Sequence, residues 1–542
     1  MIWLICWRID RIKGRIVSEI EQLLLVVGSL AVAAVARRLR LSAPLVLVAV
    51  GLVVSYLPGV PDIEINPQLV LVLFMPPLLY SASLDSSYLG FRANVRPIAL
   101  LSVGLVLATT VAVGFVAHAL IPSLPLISAL VLGAVVAPPD AVAAVAIGRR
   151  LGLPRRLMTL MTGESLVNDA TALTAFKVAV AAALGAGASW GAGLRTFAVA
   201  SVGGVLIGLA LGMLVHAIRM RLHDSVVESA LGMVVPFAAY LIADIPAIGA
   251  SGVLAVVAAG LYLGHNAPNA GYATRLQEDA VWRAVDVILE SLVFGLIGLN
   301  LRFVLHQVNS AGHSTIMLLG AAFGVLAAAM LVRIVWMFPA TYLPRWLARL
   351  FGRDGDPPPS WQSVAVLSWS GMRGVVSLAA ASSVPASVPG RDLILLLAFA
   401  VTVGTLLIQG LSLPWLIRKL GVHGTEDFSD TLAEAQAAHN ASLAAVSRLD
   451  ELVNDEDDVT PVHVVDKLRT MAERSGNAVW ERLGRQDVES PSAAFRRLRL
   501  EMLDAQRAVY LDARNSGEID DEVLRKVLRE LDLEQARLDA RD

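Results

Sequence analysis

Apolar stretches long enough to cross a bilayer fill most of the chain and limit what it can fold into. A spanning helix needs roughly 17 to 25 mostly apolar residues, and about thirteen such stretches precede residue 418. They predict an all-α, polytopic membrane protein. The predicted spans are residues 20–36, 43–58, 67–84, 95–119, 124–147, 157–185, 192–218, 225–243, 246–264, 281–304, 313–336, 362–386 and 391–417.

Charge divides the chain into regions that face different solvents. Of its 542 residues, 56% are hydrophobic and only 17% are charged, whereas a soluble protein has about 25% charged residues. Charged residues crowd the part after the last span. We therefore predict an N-terminal segment (1–19), a transmembrane domain (20–418) and a cytoplasmic helical tail (419–542). Amphipathic segments of the tail lie near residues 428–452, 461–484, 492–514 and 520–541.

Composition and motifs exclude several other kinds of protein. The net charge of -2 averages a nearly uncharged bundle with a charge-dense tail, and it gives no support for a nucleic-acid partner. Cys6 is the only cysteine, which excludes intramolecular disulfides and multi-cysteine metal sites. The sequence has no metalloprotease motif, phosphate-binding loop or nucleophile elbow. We expect neither an enzyme nor a bound cofactor.

Basic residues predict the orientation, because they concentrate in cytoplasmic loops. Every odd-numbered loop is basic, from Arg37, Arg38 and Arg40 in the first to Arg418 and Lys419 after the last span. The N-terminus should therefore lie outside and the C-terminus in the cytoplasm. Four basic residues before the first span disagree, and a true start near Val17 would explain them: Arg8, Arg11, Lys13 and Arg15.

The sixth span carries ionisable groups at bilayer depth, where they are costly and mark functional sites. Glu164 and Asn168 are four residues apart, as are Ser165 and Asp169, so a helix places them in one oxygen-rich wedge. This wedge should face a cavity or another helix. Lys177, eight residues after Asp169, is a secondary candidate and is expected to extend toward an interface.

The fifth span contains Pro138-Pro139-Asp140. Prolines lack N–H groups, so the carbonyls of Ala134 and Val135 lose their helical partners and the helix should open before Asp140. Opened backbone survives in a membrane only inside protein or beside a cavity. Free carbonyls next to a carboxylate suit a hard cation.

The twelfth span places Arg373 in Gly371-Met372-Arg373-Gly374. An arginine between glycines in mid-membrane implies close backbone approach and a carboxylate partner. We expect this partner to be Glu164, with Glu290 of the tenth span as the second choice. The fifth and twelfth spans would be equivalent interrupted crossing helices of inverted repeats that cover spans one to six and eight to thirteen.

Together, Gly163-Glu164-Ser165, Asn168-Asp169, the Asp140 break and the Gly371–Gly374 string resemble the sodium/proton exchanger family, in its bacterial Asn-Asp branch. The resemblance covers about residues 20–418. It implies a homodimer whose spans one to three and seven to ten form the dimerisation side, with spans four to six and eleven to thirteen as the ion-carrying core.

The resemblance also implies roles for the residues. Asp169 would bind Na⁺ or the proton, Asn168 would fix its geometry, and Asp140 with nearby backbone oxygens would assist. Ser165 would add an oxygen ligand, and Glu164 with Arg373 would form a structural ion pair. Relatives usually have Thr-Asp-Pro at the break, whereas this chain has Pro139-Asp140-Ala141, so only a Pro139 carbonyl remains as a ligand before the aspartate.

The predicted function is exchange of Na⁺, with Li⁺ or K⁺ as further substrates, for H⁺ by alternating access. A proton and a dehydrated cation would compete for Asp169, and Asn168 cannot bind a second proton, which favours electroneutral exchange. A K⁺/H⁺ antiporter and a cation channel with a regulatory tail are the alternatives. Richness in Ala, Arg and Val is typical of a bacterium with GC-rich DNA, so we expect the cytoplasmic membrane.

Overall fold

The protein is represented by a computed structural model that describes residues 23–39, 41–58, 70–185, 190–222, 224–300, 315–350, 359–424, 426–453, 461–482, 491–516 and 518–539. Within these ranges the chain is helical and contains no strand. It separates into two compact units, Met1–His423 and Gly424–Asp542. The predicted N-terminal segment 1–19 lies outside the described residues.

The first unit is a bundle of sixteen α-helices within the described ranges, with a short 3-10 helix at Ala267–Asn269. Its first half comprises α1 (23–38), α2 (Ala43–Val54), α3 (Leu71–Leu84), α4 (Tyr88–Ala93), α5 (Val95–Leu120), α6 (Leu126–Val136), α7 (Ala141–Arg150) and α8 (Arg155–Ala183). Its second half comprises α9 (Trp190–Arg219), α10 (Ser225–Ala243), α11 (Gly252–His265), α12 (Tyr272–Leu299), α13 (Thr315–Leu350), α14 (Trp361–Trp369), α15 (Val375–Ser382) and α16 (Arg391–Leu420).

Length and apolarity identify membrane spans among these helices. Seven candidates among the described residues are long and apolar enough to cross a bilayer: Val95–Leu120, Leu126–Arg150, Arg155–Ala183, Arg195–Arg219, Ser225–Ala243, Ile316–Trp346 and Arg391–Leu420. Shorter apolar helices include α2, α3 and α11. The chain is therefore an all-helical membrane protein, while the count of thirteen spans stays a prediction.

The helices pack into two hydrophobic clusters. The larger cluster draws on α5 to α8 and α13 to α16, with contributions from α1, α2 and α12. The second draws on α3 and α9 to α12. Helix α8 contributes to both, since Leu157 and Met161 belong to the first cluster and Leu166 and Ala170 to the second. The wedge residues Glu164, Ser165, Asn168 and Asp169 therefore lie on the part of α8 where the two clusters meet.

The break predicted in the fifth span is confirmed. Helix α6 ends at Val136, and α7 begins at Ala141. The two prolines between them cannot donate the hydrogen bonds that would continue the helix. Asp140 caps the new helix, because its Oδ1 accepts a hydrogen bond from the Val142 N–H at 2.9 Å.

The twelfth span is also interrupted, as α14 ends at Trp369 and α15 begins at Val375. The two breaks touch, since the Asp140 N–H donates to the Met372 carbonyl at 2.6 Å. Gly374 makes this approach feasible, because a Cβ atom there would lie 1.7 Å from Asp140 Oδ2. The expected close backbone approach at the glycines is thus present.

The second unit contains four amphipathic helices among its described residues, one in each predicted segment: α17 (Glu426–Val453), α18 (Val462–Arg482), α19 (Pro491–Asn515) and α20 (Asp521–Asp539). Helices α19 and α20 form a hairpin around Leu503, Leu531 and Leu538. The Arg499 guanidinium of α19 donates two hydrogen bonds of 2.8 Å to the Glu534 carboxylate of α20. This ion pair links the two helices of the hairpin.

Candidate functional site

Helix α8 carries the predicted wedge past the two breaks as one continuous helix. Glu164, Asn168 and Asp169 are all buried. Asp169 lies close enough to Asp140 for the two carboxylates to interact electrostatically. Among the described residues no group donates a hydrogen bond to Asp169 and no cation pairs with it. The site therefore holds a buried carboxylate that no group in the described part of the chain neutralises.

Asn168 connects α8 to the opened backbone. Its side-chain Nδ2 donates a 2.7 Å hydrogen bond to the Pro139 carbonyl, so the amide holds one of the carbonyls at the break. The Asn168 Oδ1 is buried and has no hydrogen-bond partner among the residues that the structure describes. Ser165 Oγ accepts a 3.3 Å hydrogen bond from the Ala141 N–H on the other side of the break. The structure thus brings the predicted ion-binding residues together around residues 139–141.

A small cavity lies beside this arrangement. Its volume of about 10 Å³ is enough for one water-sized occupant. Its walls are Pro139, Ala141, Met161, Glu164, Ser165, Arg333 and Ser370. The cation-binding chemistry lies in the oxygens gathered around residues 139–141, which come from the Asp140 and Asp169 carboxylates, the Ser165 hydroxyl and the Pro139 carbonyl. Such oxygens are the donors that hard cations prefer, so the site's chemistry suits an alkali cation or a proton.

Arg373 anchors the end of α6. Its Nε donates to the Val136 carbonyl at 2.8 Å, its Nη2 lies 3.5 Å from the Ala137 carbonyl oxygen, and its Nη1 donates to the Gly371 carbonyl. Its backbone N–H donates to Thr405 Oγ1 at 3.0 Å. The guanidinium therefore satisfies carbonyls at the C-terminal end of α6, which is the negative end of its helix dipole.

The predicted ion pair between Glu164 and Arg373 is wrong. Glu164 is bound by Arg333 of α13, which donates from Nη2 to Oε2 at 2.9 Å and from Nη1 to Oε1. Both side chains are only 2% exposed. Arg333 Nη2 also donates to the Leu367 carbonyl at 3.1 Å. The physical reason is that helix-end carbonyls satisfy Arg373, which leaves the carboxylate to the arginine of the neighbouring helix.

Arg333 was missed by the sequence reasoning, although a signal for it exists. It is an arginine inside the apolar helix Ile316–Trp346, and a charge at such a position calls for a partner. The glycines around Arg373 serve two different neighbours. A Cβ atom at Gly371 would lie 2.4 Å from Arg333 Cδ, so Gly371 makes room for Arg333, whereas Gly374 makes room for Asp140.

Among the described residues, the secondary candidates Glu290 and Lys177 form no ion pair with Glu164 or Arg373. Glu290 is half-buried on α12 and does not pair with Arg373, so the second choice for that partner is also wrong. The charged groups that act electrostatically on Glu290 are Asp140, Asp286, Arg37 and Arg149. Lys177 Nζ lies 3.6 Å from the exposed Asp244 Oδ1, which places Lys177 in a solvated ion pair.

Comparison with known proteins identifies the family of this chain. The family model described as "Sodium/hydrogen exchanger, transmembrane" matches residues 23–419. An uncharacterized Na(+)/H(+) exchanger of Mycobacterium tuberculosis is 34% identical over 517 residues, which is 92% of each chain. An uncharacterized Na(+)/H(+) exchanger of Escherichia coli is 30% identical over 521 residues, 91% of this chain and 94% of the relative.

A more distant relative and a solved structure extend the comparison. A sodium, potassium, lithium and rubidium/H(+) antiporter of Bacillus subtilis is 32% identical over 389 residues, 69% of this chain and 57% of the relative. The sodium proton antiporter MjNhaP1 of Methanocaldococcus jannaschii, solved at pH 8, has a similar fold with a TM-score of 0.58 at 18% identity, over 73% of this chain and 97% of that one. The chain belongs to the transmembrane sodium/hydrogen exchanger family and is a cation/proton antiporter, not an enzyme.

Proposed function

We propose that this antiporter exchanges Na⁺ for H⁺ one for one, and that Asp169 binds either ion in turn. The observation that carries the proposal is the buried Asp169 carboxylate, which no described protein group neutralises, next to Asp140 and the opened backbone. An uncompensated buried charge is costly. A proton or a dehydrated cation removes this cost, and each excludes the other.

Coupling follows from this exclusion. A carrier whose Asp169 is neutralised can move through apolar surroundings, whereas an empty, charged carrier pays the cost of burying its charge. Only occupied carriers therefore change sides. The opposing gradients of the two ions then drive the exchange by alternating access.

Asn168 supports a fixed stoichiometry. It occupies a buried position where an aspartate could titrate, and it uses its Nδ2 to hold the Pro139 carbonyl. An amide takes up no proton over the physiological range, so the pair of positions 168 and 169 carries one titratable group. Electroneutral exchange is the consequence that we propose.

We further propose the architecture that the family resemblance implied. The core would contain spans four to six and eleven to thirteen, and the larger hydrophobic cluster, centred on α5 to α8 and α13 to α16, supports this grouping. The dimerisation side would contain spans one to three and seven to ten, and it would assemble with a second copy. The contact between the two broken spans supports their equivalence in inverted repeats of a thirteen-span domain.

Orientation and location are part of the same proposal. Basic odd-numbered loops support an external N-terminus and a cytoplasmic C-terminus in the cell's cytoplasmic membrane. K⁺/H⁺ exchange is a second candidate, because the Bacillus subtilis relative is described as an antiporter of sodium, potassium, lithium and rubidium. Pro139 supplies no side-chain oxygen beside Asp140, so backbone carbonyls would set the cation preference.

Proton flux in proteoliposomes tests the proposal. Addition of Na⁺, K⁺ or Li⁺ to vesicles that hold a pH gradient should dissipate it, and the cation giving half-maximal rate at the lowest concentration identifies the preferred substrate. Asp169→Asn should abolish the response. Asp244→Asn is the matched control, because Asp244 is an exposed carboxylate paired with Lys177, and it should retain activity. Substantial exchange by the Asp169 variant, or cation flux indifferent to the proton gradient, would contradict the proposal and favour a channel.

A further inference from the structure

A second cavity of the membrane unit lies where four helices begin or end. Its volume is about 370 Å³, which is within the range of small-molecule sites. Its walls are the C-terminal ends of α9 and α11, the first turns of α10 and α12, and the loops that join these helices. Both loops are on the side that basic residues predict to be cytoplasmic. None of its described wall residues belongs to the ion site.

Glu228 of α10 is an acid on the wall of this cavity, and it is only 6% exposed. Thr274 Oγ1 donates a 2.8 Å hydrogen bond to Glu228 Oε2. Among the described residues, none donates a hydrogen bond to Oε1 and no base forms an ion pair with the carboxylate. A buried carboxylate whose partner is a neutral hydroxyl keeps its charge, which is costly unless a cation approaches it.

Arg219 also lines the cavity, but its charge is already compensated. Its Nη1 and Nη2 donate hydrogen bonds to the Glu278 carboxylate, and Nη2 lies 3.3 Å from the Glu228 backbone carbonyl to which it donates. The His216 ring of the same wall packs edge-on against Tyr262. The cluster thus combines two acids with one arginine. This excess of negative charge favours a cationic occupant over an anionic one.

The size and lining of the cavity indicate an organic cation rather than a metal ion. The described residues contain no group of three or more His, Cys, Asp or Glu that could hold a metal ion. One water-sized occupant needs about 10–15 Å³, so the cavity is far larger than a single alkali ion requires. Part of the wall is apolar and suits methylene carbons, because it is formed by Met220, Leu222 and Leu263.

Hydrogen-bond acceptors on the wall match the donors of an ammonium group. Asn266 Nδ2 donates a 2.8 Å hydrogen bond to the Tyr262 carbonyl, which leaves its Oδ1 as an acceptor. The Ser225 hydroxyl and Glu228 Oε1 are further acceptors on the same wall. A primary ammonium has three N–H donors and no acceptor. The wall therefore offers one oxygen for each of these donors.

We propose that this cavity binds the primary ammonium group of an organic ligand, with Glu228 as its counter-ion. Two sources share this chemistry, the headgroup of an aminophospholipid and a small soluble amine. Arg275 suits the phosphate of such a headgroup, because its exposed guanidinium is held beside the cavity by a 3.2 Å hydrogen bond to the Pro268 carbonyl. The proposal does not rest on the exchange reaction, since binding is measured without transport and the two can fail separately.

Native mass spectrometry of the delipidated full-length protein tests this binding. The protein is titrated with phosphatidylethanolamine, with phosphatidylcholine of the same acyl chains, and with ethanolamine. We expect phosphatidylethanolamine or ethanolamine to bind at least tenfold more tightly than phosphatidylcholine, whose quaternary ammonium has no N–H to donate. Binding of the lipid without ethanolamine identifies the headgroup as the source, whereas ethanolamine that binds as tightly as the lipid, or in its place, identifies a soluble amine.

Three variants assign the binding to this cavity. Glu228→Gln removes the charge but keeps the size of the side chain, and it should lower the affinity at least tenfold. Asp279→Asn is the matched control, because Asp279 is an exposed acid of α12 that pairs with Arg283; it should bind as the wild type does. Ala267→Trp places a large side chain on the cavity wall and should abolish binding with Glu228 unchanged, which keeps the test valid if Glu228→Gln does not fold.

Three results would overturn the inference. The first is equal affinity for phosphatidylethanolamine and phosphatidylcholine, since the ammonium hydrogens would then not be recognised. The second is undiminished binding by folded Glu228→Gln or Ala267→Trp, which would place the ligand elsewhere on the protein. The third is the absence of binding by both amines to the folded wild-type protein.

Discussion

Glu164 and Arg333 should be more strongly coupled in stability than Glu164 and Arg373. The structure has a bidentate contact between Glu164 and Arg333 with both side chains 2% exposed. Removal of one partner leaves the other charge buried without compensation, which costs about 3–5 kcal/mol. Arg333→Met alone and Glu164→Gln alone should each destabilise the protein, by up to this amount.

The double variant should recover much of the loss. With both charges removed, neither is left uncompensated, so a double-mutant cycle isolates the interaction between the two side chains. The hydrogen bonds from Arg333 to the Leu367 carbonyl are lost in both backgrounds and cancel in the cycle. We expect a coupling energy of about 2–3 kcal/mol, the upper part of the range for residues in one ion-pair network.

Arg373→Met combined with Glu164→Gln is the matched comparison. Arg373 also acts electrostatically on Glu164, but its hydrogen bonds go to the carbonyls of Val136 and Gly371. The coupling should therefore be smaller than that between Glu164 and Arg333, because Arg373 donates no hydrogen bond to the Glu164 carboxylate among the described contacts. Reversible unfolding in mixed micelles of increasing SDS fraction measures all these variants. A coupling at Arg373 equal to that at Arg333 would refute the assignment of the pair.

Three further outcomes follow from the site and the tail. Gly374→Ala should abolish exchange at near-normal protein level, because the added Cβ would lie 1.7 Å from Asp140 Oδ2; wild-type proton flux in proteoliposomes would contradict this. Asn168→Asp should make exchange respond to an imposed membrane potential, since the introduced carboxyl adds a titratable group; a voltage-independent rate would argue against the stoichiometric role of Asn168. In the tail, the hydrogen bond from Arg499 lowers the pKa of Glu534, so the stability that this pair adds to the α19–α20 hairpin is present above the ordinary glutamate range and is lost as pH falls through the lowered pKa. Hydrogen exchange in α20, corrected for intrinsic rates, should rise below about pH 4.5, and Glu534→Gln should remove that pH dependence.

Local chemistry made the breaks predictable from sequence. Pro138 and Pro139 lack N–H groups wherever they are placed, so the opening before Asp140 needs no knowledge of neighbouring helices. Helical spacing likewise placed Asn168 and Asp169 on one side of α8. The Pro139 carbonyl as the acceptor for Asn168, however, depends on how α8 crosses the break.

The choice of ion-pair partner could not be predicted by the same means. Two intramembrane arginines, Arg333 and Arg373, compete for Glu164, and packing between helices decides which of them reaches it. Arg373 has an alternative that sequence does not display, because carbonyls at the end of α6 serve as its acceptors. The glycines around Arg373 do not reveal from sequence which neighbour each of them accommodates, and Gly371 accommodates Arg333.

The hydrogen bond from the Asp140 amide to the Met372 carbonyl makes the two interruptions interdependent. Displacement of either segment alone would break this hydrogen bond and leave a buried amide without its acceptor, which is costly at bilayer depth. Exposure of the ion by bending only one of the two broken spans therefore has a high free-energy cost. The two broken segments therefore move at the lowest energetic cost as one rigid body. A ligand that holds the 370–374 segment in place would immobilise Asp140 without contacting it.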